Sequence, residues 1–161
     1  MKNQGKTSDQ QTQDSIVKLV DIKAPVPRVW QAISDHRQFG EWFRVKLNEP
    51  FVAGEKSTGV TTYPGYEGYE WLAIVETVTP ESLLAFHWYH EGEGSELALN
   101  EEPTTRVEFH LQAIAGGTRL TITESGLSAL PESRRQDIIR SNTQGWDIQA
   151  DHIREFVAEH A

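Results

Sequence analysis

The C-terminal segment, residues 131–161, constrains the fold of this chain more than any other. At about 100° per residue its apolar and small residues form one stripe, with Gln149 and Thr143 at the margins. The stripe consists of Arg135, Ile139, Asn142, Trp146, Ala150, Ile153 and Val157. The opposite side is polar, with Ile148 as its only apolar residue. The pattern predicts one long amphipathic helix that covers another layer of structure.

The middle of that stripe is unusual for a helix that only fills a core. A core helix carries leucine there, whereas this chain has a polar Asn142, a large Trp146 and a small Ala150. Such an under-filled stripe suits the wall of a cavity, so Ala150→Leu is expected to shrink the cavity and abolish ligand uptake without unfolding the protein.

Composition excludes several classes of function. The 161 residues are the size of one domain, and a net charge of −9 disfavours nucleic acid and anionic membranes as partners. The chain has no Cys and no run of about 18 apolar residues that could be inserted in a membrane. Residues 1–14 are polar and lack the apolar stretch of a secretory signal. We therefore expect a disordered tail over 1–14, a single domain over 15–161 and a cytoplasmic location.

The rest of the chain predicts an α+β fold. Residues 16–22 alternate as a strand, Pro25 and Pro27 open a short helix that ends at 34–36, and 39–43 form a helical or looped aromatic linker. Further alternating runs occupy 44–51, 57–62, 69–78, 82–90, 105–114 and 118–125. The two faces of 69–78 are almost equally apolar, so the sequence does not show which of them is inward.

A glycine pair predicts the clearest hairpin. With Gly116-Gly117 as its two-residue turn, Ala113 pairs with Leu120, Leu111 with Ile122 and Phe109 with Glu124. This register turns a carboxylate, that of Glu124, toward the dry side of the sheet.

This order of elements resembles the helix-grip superfamily (Bet v 1-like, START-like, SRPBCC), and most closely the homologues of the activator of the heat-shock-protein-90 ATPase. Motifs spread over residues 16–158 carry the resemblance. They are Ala24-Pro25, Val29-Trp30, 32–35, Trp42, 75–81 with Leu83, 86–88, 121–127 and Gly145-Trp146. The resemblance implies a curved antiparallel sheet of six or seven strands wrapped around the last helix, with two short helices after the first strand. Relatives tend to place Leu four residues after the helix Trp, where this chain has Ala150, which favours a larger cavity.

A largely aromatic cavity between sheet and helix is therefore the first functional hypothesis, with a small, mostly apolar molecule as its ligand, no cofactor and no catalysis. Its predicted lining is Trp42, Tyr63, Tyr66, Tyr69, Phe86, Trp88, Phe109, Ile122, Glu124, Asn142, Trp146 and Ala150. The alternative is that these rings simply fill the core. The glycine-rich loop 63–69 is a candidate lid or an ordinary turn.

Glu124 and His90 are the candidate catalytic residues. An inward Glu124 is either a ligand anchor or general acid/base, or a structural carboxylate bonded to Arg37, Arg44 or backbone amides; the structural interpretation is favoured. His87 and His90 face opposite ways on a strand, so we predict no metal site.

Two further functions stay open. One is a cyclase or hydrolase-type enzyme that uses Glu124, His90 or Tyr66 as acid and base. The other, implied by the resemblance, is a co-chaperone that stimulates a heat-shock ATPase through surface contacts.

Overall fold

The computed structural model describes residues 14–89 and 104–159, which form a curved antiparallel sheet crossed by a long helix. The strands are β1 (Ser15–Ile22), β2 (Val45–Leu47), β3 (Lys56–Thr61), β4 (Glu70–Thr79), β5 (Leu83–Tyr89), β6 (Thr104–Ile114) and β7 (Gly117–Ser125). The helices are α1 (Val26–Ser34), α2 (His36–Phe43) and α3 (Glu132–Glu159), with a 3-10 turn at Leu127–Ala129. The strand order is β1-β7-β6-β5-β4-β3-β2. This confirms the predicted α+β helix-grip class.

The helix α3 covers the dry face of the sheet as its stripe predicts. Its buried residues are Ile139, Trp146, Ala150, Ile153, Phe156 and Val157. Phe156 is an addition to the predicted stripe. The helix packs along β1, where Lys18 and Asp147 form a 2.8 Å ion pair. One face of the sheet and one stripe of the helix thus enclose a single core.

The helices α1 and α2 follow from local chemistry. Proline is tolerated in the first turn of α1, because backbone N–H groups in that turn have no intrahelical acceptor and proline has no N–H to leave unpaired. Asp35 then caps α2 by accepting a 3.0 Å hydrogen bond from the backbone N–H of Arg37. Arg44, in the left-handed region at φ 71°, ends α2. The aromatic linker 39–43 is therefore the C-terminal part of a helix.

The predicted strand over 44–51 is wrong beyond its first residues, because β2 covers only Val45–Leu47. The carboxylate of Glu49 accepts hydrogen bonds from the backbone N–H and the hydroxyl of Thr58, at 2.9 and 2.7 Å. Pro50 has no N–H to donate to a neighbouring strand. A side chain thus takes the place of backbone pairing here.

The predicted hairpin register is also wrong by two residues, although its faces are right. Gly117 pairs with Ile114 and Phe109 with Ile122, so the turn is 115–116 rather than Gly116-Gly117. Only Gly116 has the positive φ, 81°. Gly117 is required for another reason: a Cβ there would lie 2.1 Å from the carbonyl oxygen of Ile22. The second glycine serves strand packing and not the turn.

A β-bulge resolves the ambiguous strand 69–78. Trp71, Ala73 and Val75 point inward, and the register with β5 then shifts between Val75 and Thr77. The extra residue brings Val78 opposite the buried Leu84, so both ends of β4 contribute to the same core.

Some expectations fall outside the described residues. These are the tail over 1–13 and the candidate His90. Asp14, the last residue of the predicted tail, accepts hydrogen bonds from the backbone N–H groups of Gly126 and Ser128. Among helices within 14–89 and 104–159, none is long and apolar enough to cross a membrane.

Candidate ligand-binding site

Glu124 lies near the C-terminal end of β7, on the face of the sheet that α3 covers. The register places it between Ile16 of β1 and Val107 of β6, and none of its surface is exposed. A buried carboxylate is costly unless hydrogen-bond donors replace the water it loses. The inward position predicted from the alternation of β7 is confirmed.

Within residues 14–89 and 104–159, four side chains donate hydrogen bonds to this carboxylate. Its Oε1 accepts from Trp146 Nε1 at 2.9 Å and Asn142 Nδ2 at 3.1 Å. Its Oε2 accepts from Trp88 Nε1 at 3.0 Å, Thr105 Oγ1 at 2.6 Å and Asn142 Nδ2 at 3.0 Å. We call these five residues the Glu124 cage. The cage joins β5, β6 and β7 to α3 through charge-assisted hydrogen bonds, which are the strong ones.

These partners differ from the cations that the sequence suggested for Glu124. Arg37 instead lies 3.6 Å from Asp35, with most of its side chain exposed. The donors that the described residues supply to Glu124 are indole, amide and hydroxyl groups, which replace the water lost on burial. The contacts thus support the structural interpretation of Glu124.

The cage also orients two tryptophan rings. With both N–H groups turned to Glu124, Trp88 and Trp146 stack at 5.5 Å with an interplanar angle of 23°. Phe43 meets both rings edge-on, with centroids 6.3 Å from Trp88 and 6.1 Å from Trp146. Both indole N–H groups therefore have hydrogen-bond partners inside the protein, and the two residues contribute apolar ring surface to the adjoining cavity.

A small cavity adjoins this aromatic cluster. Its volume is about 90 Å³, and it lies between the sheet, α2 and α3. Its lining is Phe43, Trp88, Asn142, Gly145, Trp146 and Gln149. The cavity is smaller than the roughly 150 Å³ that holds benzene in an engineered protein core.

A wider groove continues the cavity along α3. Its volume is about 390 Å³, and its lining is Tyr63, Tyr66, Ser141, Gln144, Gly145, Ile148 and Gln149. The cavity and the groove share Gly145 and Gln149, so they meet at this turn of the helix. Ile148, the apolar residue on the polar side of α3, forms part of the wall of this groove.

Gly145 leaves the space between cavity and groove open. A Cβ built at this position would meet nothing within 4 Å, in contrast to Gly40, Gly59 and Gly117, where it would lie 2.1–2.2 Å from a backbone oxygen. Glycine inside a helix costs about 1 kcal/mol relative to alanine. Close packing therefore does not account for glycine here, and a side chain larger than alanine would extend into the open space.

The loop between β3 and β4 forms the outer wall of the groove. Tyr63 and Tyr66 lie 6.0 Å apart, and Tyr66 meets Tyr69 edge-on at 5.9 Å. Gly65 and Gly68 have positive φ values of 93° and 89°, which let the loop turn sharply.

Gln149 links the cavity to α2. Its Nε2 donates to the carbonyl of Phe43 at 3.0 Å, and its Oε1 lies 3.0 Å from Nδ1 of His152. Burial, together with the nearby Arg44 guanidinium, holds the pKa of His152 below its usual value. A neutral imidazole that donates from Nδ1 fits this arrangement.

The predicted lining residues do not all line one space in the structure. Trp88, Asn142 and Trp146 line the cavity, and Tyr63 and Tyr66 line the groove. The other seven lie outside both linings. Five are buried in the core, namely Phe86, Phe109, Ile122, Glu124 and Ala150. Trp42 lines a separate cleft and donates to the carbonyl of Ala32, and Tyr69 is 59% exposed. The predicted lining thus combines a wall of the cavity with the core behind it.

Four contributors to the cavity and the Glu124 cage were not predicted as site residues: Phe43, Thr105, Gly145 and Gln149. Phe43 and Gln149 line the cavity, and Thr105 bonds both Trp88 and Glu124. Gly145 had a signal in the sequence, because a glycine in the middle of a long helix is unfavourable without a reason. Within the described part of the chain, no three His, Asp or Glu side chains cluster as metal ligands.

Comparison with known proteins identifies relatives of the whole domain. The sequence model described as "Activator of Hsp90 ATPase homolog 1-like protein" matches residues 23–158, which confirms the resemblance found in the motifs. No curated protein matches the chain.

Solved structures share the fold. A protein from Mesorhizobium loti has a TM-score of 0.73 at 17% identity, covering 91% of this chain and 98% of that one. A protein from Arthrobacter aurescens has a TM-score of 0.74 at 20% identity, covering 90% and 86%. DynU16, from the dynemicin biosynthetic locus, has a TM-score of 0.70 at 25% identity, and the match covers 90% of this chain but 47% of DynU16.

Proposed function

The chain belongs to the family of Activator of Hsp90 ATPase homolog 1-like proteins, and from this premise we propose that it binds a small, largely apolar molecule between the sheet and α3. Binding is proposed to leave the molecule chemically unchanged. The single observation that supports this proposal most is the cavity beside the Glu124 cage, walled by the faces of Trp88 and Trp146.

The chemistry of the wall favours an apolar ligand. Pockets for small molecules are mostly aromatic and apolar, with a few placed polar groups. Here the indole N–H groups face Glu124 and not the cavity, so a ligand meets ring surface. Glu124 itself is covered by its donors, which supports a role in holding the wall and does not favour one in acid–base chemistry.

The size of the space limits the ligand. Binding pockets usually measure about 300–1,000 Å³, which the cavity of about 90 Å³ does not reach by itself. Together with the adjoining groove of about 390 Å³ it falls into this range. The proposed ligand therefore places one end against the tryptophans and extends past Gly145 between α3 and the tyrosine loop.

Native mass spectrometry tests this proposal on protein purified from the organism that encodes it. We expect a co-purifying small molecule that is lost on denaturation. Gly145→Leu, which fills the passage without a clash at Cβ, should abolish its retention. Gln136→Leu, an exposed amide-to-leucine change on the same helix, is the matched control and should retain it. Ligand-free wild-type protein that gains no thermal stability from any apolar molecule would contradict the proposal.

Activation of a heat-shock ATPase is the second candidate, and the family description alone favours it. It places the function on the surface. Gly145→Leu would then leave stimulation of the chaperone ATPase unchanged, whereas charge reversal of exposed carboxylates, which this chain of net charge −9 has in excess, would reduce it. An ATPase assay with purified Hsp90 separates the two candidates.

A further inference from the structure

We infer that the amide oxygen of Asn142 is the polar recognition atom of the cavity, and that the ligand is an aromatic molecule that carries a hydrogen-bond donor. The donor is a hydroxyl or an N–H group at the end that enters the cavity. This inference rests on the proposed function, because it specifies the chemistry of the molecule that the same cavity binds.

Glu124 fixes which end of the Asn142 amide is left for a ligand. Asn142 Nδ2 lies 3.1 Å from Oε1 and 3.0 Å from Oε2 of the carboxylate. An ionised carboxylate only accepts hydrogen bonds, and of the two ends of an amide only the nitrogen donates. A flipped amide would set its oxygen against two carboxylate oxygens. The amide oxygen of Asn142 is therefore held away from Glu124, in a residue that lines the cavity.

The other polar groups of the lining already have partners. The indole N–H groups of Trp88 and Trp146 donate to Glu124. Gln149 uses both ends of its amide, on the carbonyl of Phe43 and on His152. Asn142 Oδ1, in contrast, accepts no hydrogen bond from any residue within 14–89 and 104–159. The cavity thus offers a ligand one uncommitted polar atom, and this atom is an acceptor.

A fixed acceptor discriminates between ligands of equal shape. A molecule with a donor at the inner end pairs with Asn142 Oδ1, whereas one with an ether oxygen there sets acceptor against acceptor. A neutral hydrogen bond of typical net strength corresponds to about a fivefold to tenfold difference in affinity. Glu124 is in this view a positioning residue, because it acts on the ligand through Asn142.

Indole and benzofuran are suitable probes, since they share a bicyclic shape and differ in an N–H group against an oxygen. Isothermal titration calorimetry of each probe with the wild-type protein should give about fivefold to tenfold tighter binding of indole. In Asn142→Leu the two affinities should become equal. Glu124→Gln should also reduce the ratio toward one, because an amide at position 124 accepts either orientation of Asn142. Gln136→Leu is the control on α3 and should keep the wild-type ratio.

The outcomes distinguish a failure of this inference from a failure of the proposed function. Equal binding of both probes by the wild type, or a preference for indole that persists in Asn142→Leu, would overturn this inference and leave the proposed function intact. Binding of neither probe to the ligand-free protein would overturn this inference, and the proposed function also fails if no apolar molecule raises the thermal stability of that protein. Asn142→Leu carries the decision alone if Glu124→Gln does not fold, and a purely structural role of Asn142 would lower both affinities without changing their ratio.

Discussion

Replacing Glu124 by Gln tests how much the Glu124 cage contributes to stability. The substitution keeps size and shape but exchanges one acceptor oxygen for an NH₂ group. At the Oε1 position this group would face Trp146 Nε1, now 2.9 Å away. At the Oε2 position it would face Trp88 Nε1, now at 3.0 Å. Either orientation replaces a hydrogen bond by an opposition of two donors.

The structure indicates which orientation costs less. Trp88 Nε1 also lies 2.8 Å from Thr105 Oγ1, so it keeps an acceptor when the new NH₂ group occupies the Oε2 position. The Thr105 hydroxyl can then rotate and accept from that group. One charge-assisted hydrogen bond, worth about 1.5–3 kcal/mol, is lost and the others are weakened. We expect the free energy of unfolding to fall by about 3 kcal/mol, which corresponds to a Tm lower by about 6–12 °C.

Urea unfolding, followed by tryptophan fluorescence, measures this change. Asp147→Asn is the matched control, because it removes a carboxylate from an exposed ion pair with Lys18 and should cost at most about 1 kcal/mol. The m-value should stay constant in both variants, since the surface exposed on unfolding is unchanged. A loss below about 0.5 kcal/mol in Glu124→Gln, the range of ordinary surface substitutions, would show that the cage contributes little to stability and would contradict this prediction.

Three further predictions concern glycines and pH. Gly145→Ala should raise the free energy of unfolding by up to about 1 kcal/mol, because its Cβ meets nothing within 4 Å and alanine favours the helix; urea titration checks this. Gly117→Ala should destabilise the protein in the same assay, because its Cβ would lie 2.1 Å from the Ile22 carbonyl oxygen. Burial and Arg44 lower the pKa of His152 from 6.5, so the fold favours the neutral imidazole; stability is present above pH 6.5 and is lost as the pH falls through the lowered value. His152→Gln should remove that part of the slope of stability between pH 7 and 5, and an unchanged slope would contradict it.

Periodicity predicted the elements of this fold, and it failed where a single side chain or residue changes the pattern. Glu49 bonds the backbone of Thr58 and ends β2 early. One extra residue after Val75 reverses which side chains of β4 point inward, so apolar residues occur on both faces of the sequence pattern. Neither effect can be recognised from the alternation of apolar and polar residues. Gly117 misled in another way, since a glycine required by close packing resembles a glycine required by a turn.

The candidate site was predictable in part. Alternation along β7 gave the inward position of Glu124, and the stripe of α3 gave Asn142 and Trp146 as neighbours of the cavity. The cage itself depends on contacts between β5, β6, β7 and α3, which no local pattern contains. Ala150, expected to widen the cavity, lies instead in the hydrophobic core with 2% of its surface exposed, so leucine there would overpack the core at a cost of about 1–3 kcal/mol.

The most direct test of ligand binding beside the Glu124 cage is an NMR titration of the five tryptophan indole N–H signals with indole. We expect the signals of Trp88 and Trp146 to shift together with saturation, the signal of Trp30 on α1 to stay in place, and Gly145→Leu to abolish the shifts. Unchanged signals of Trp88 and Trp146 at saturating indole, or equal shifts in Gly145→Leu, would contradict this expectation.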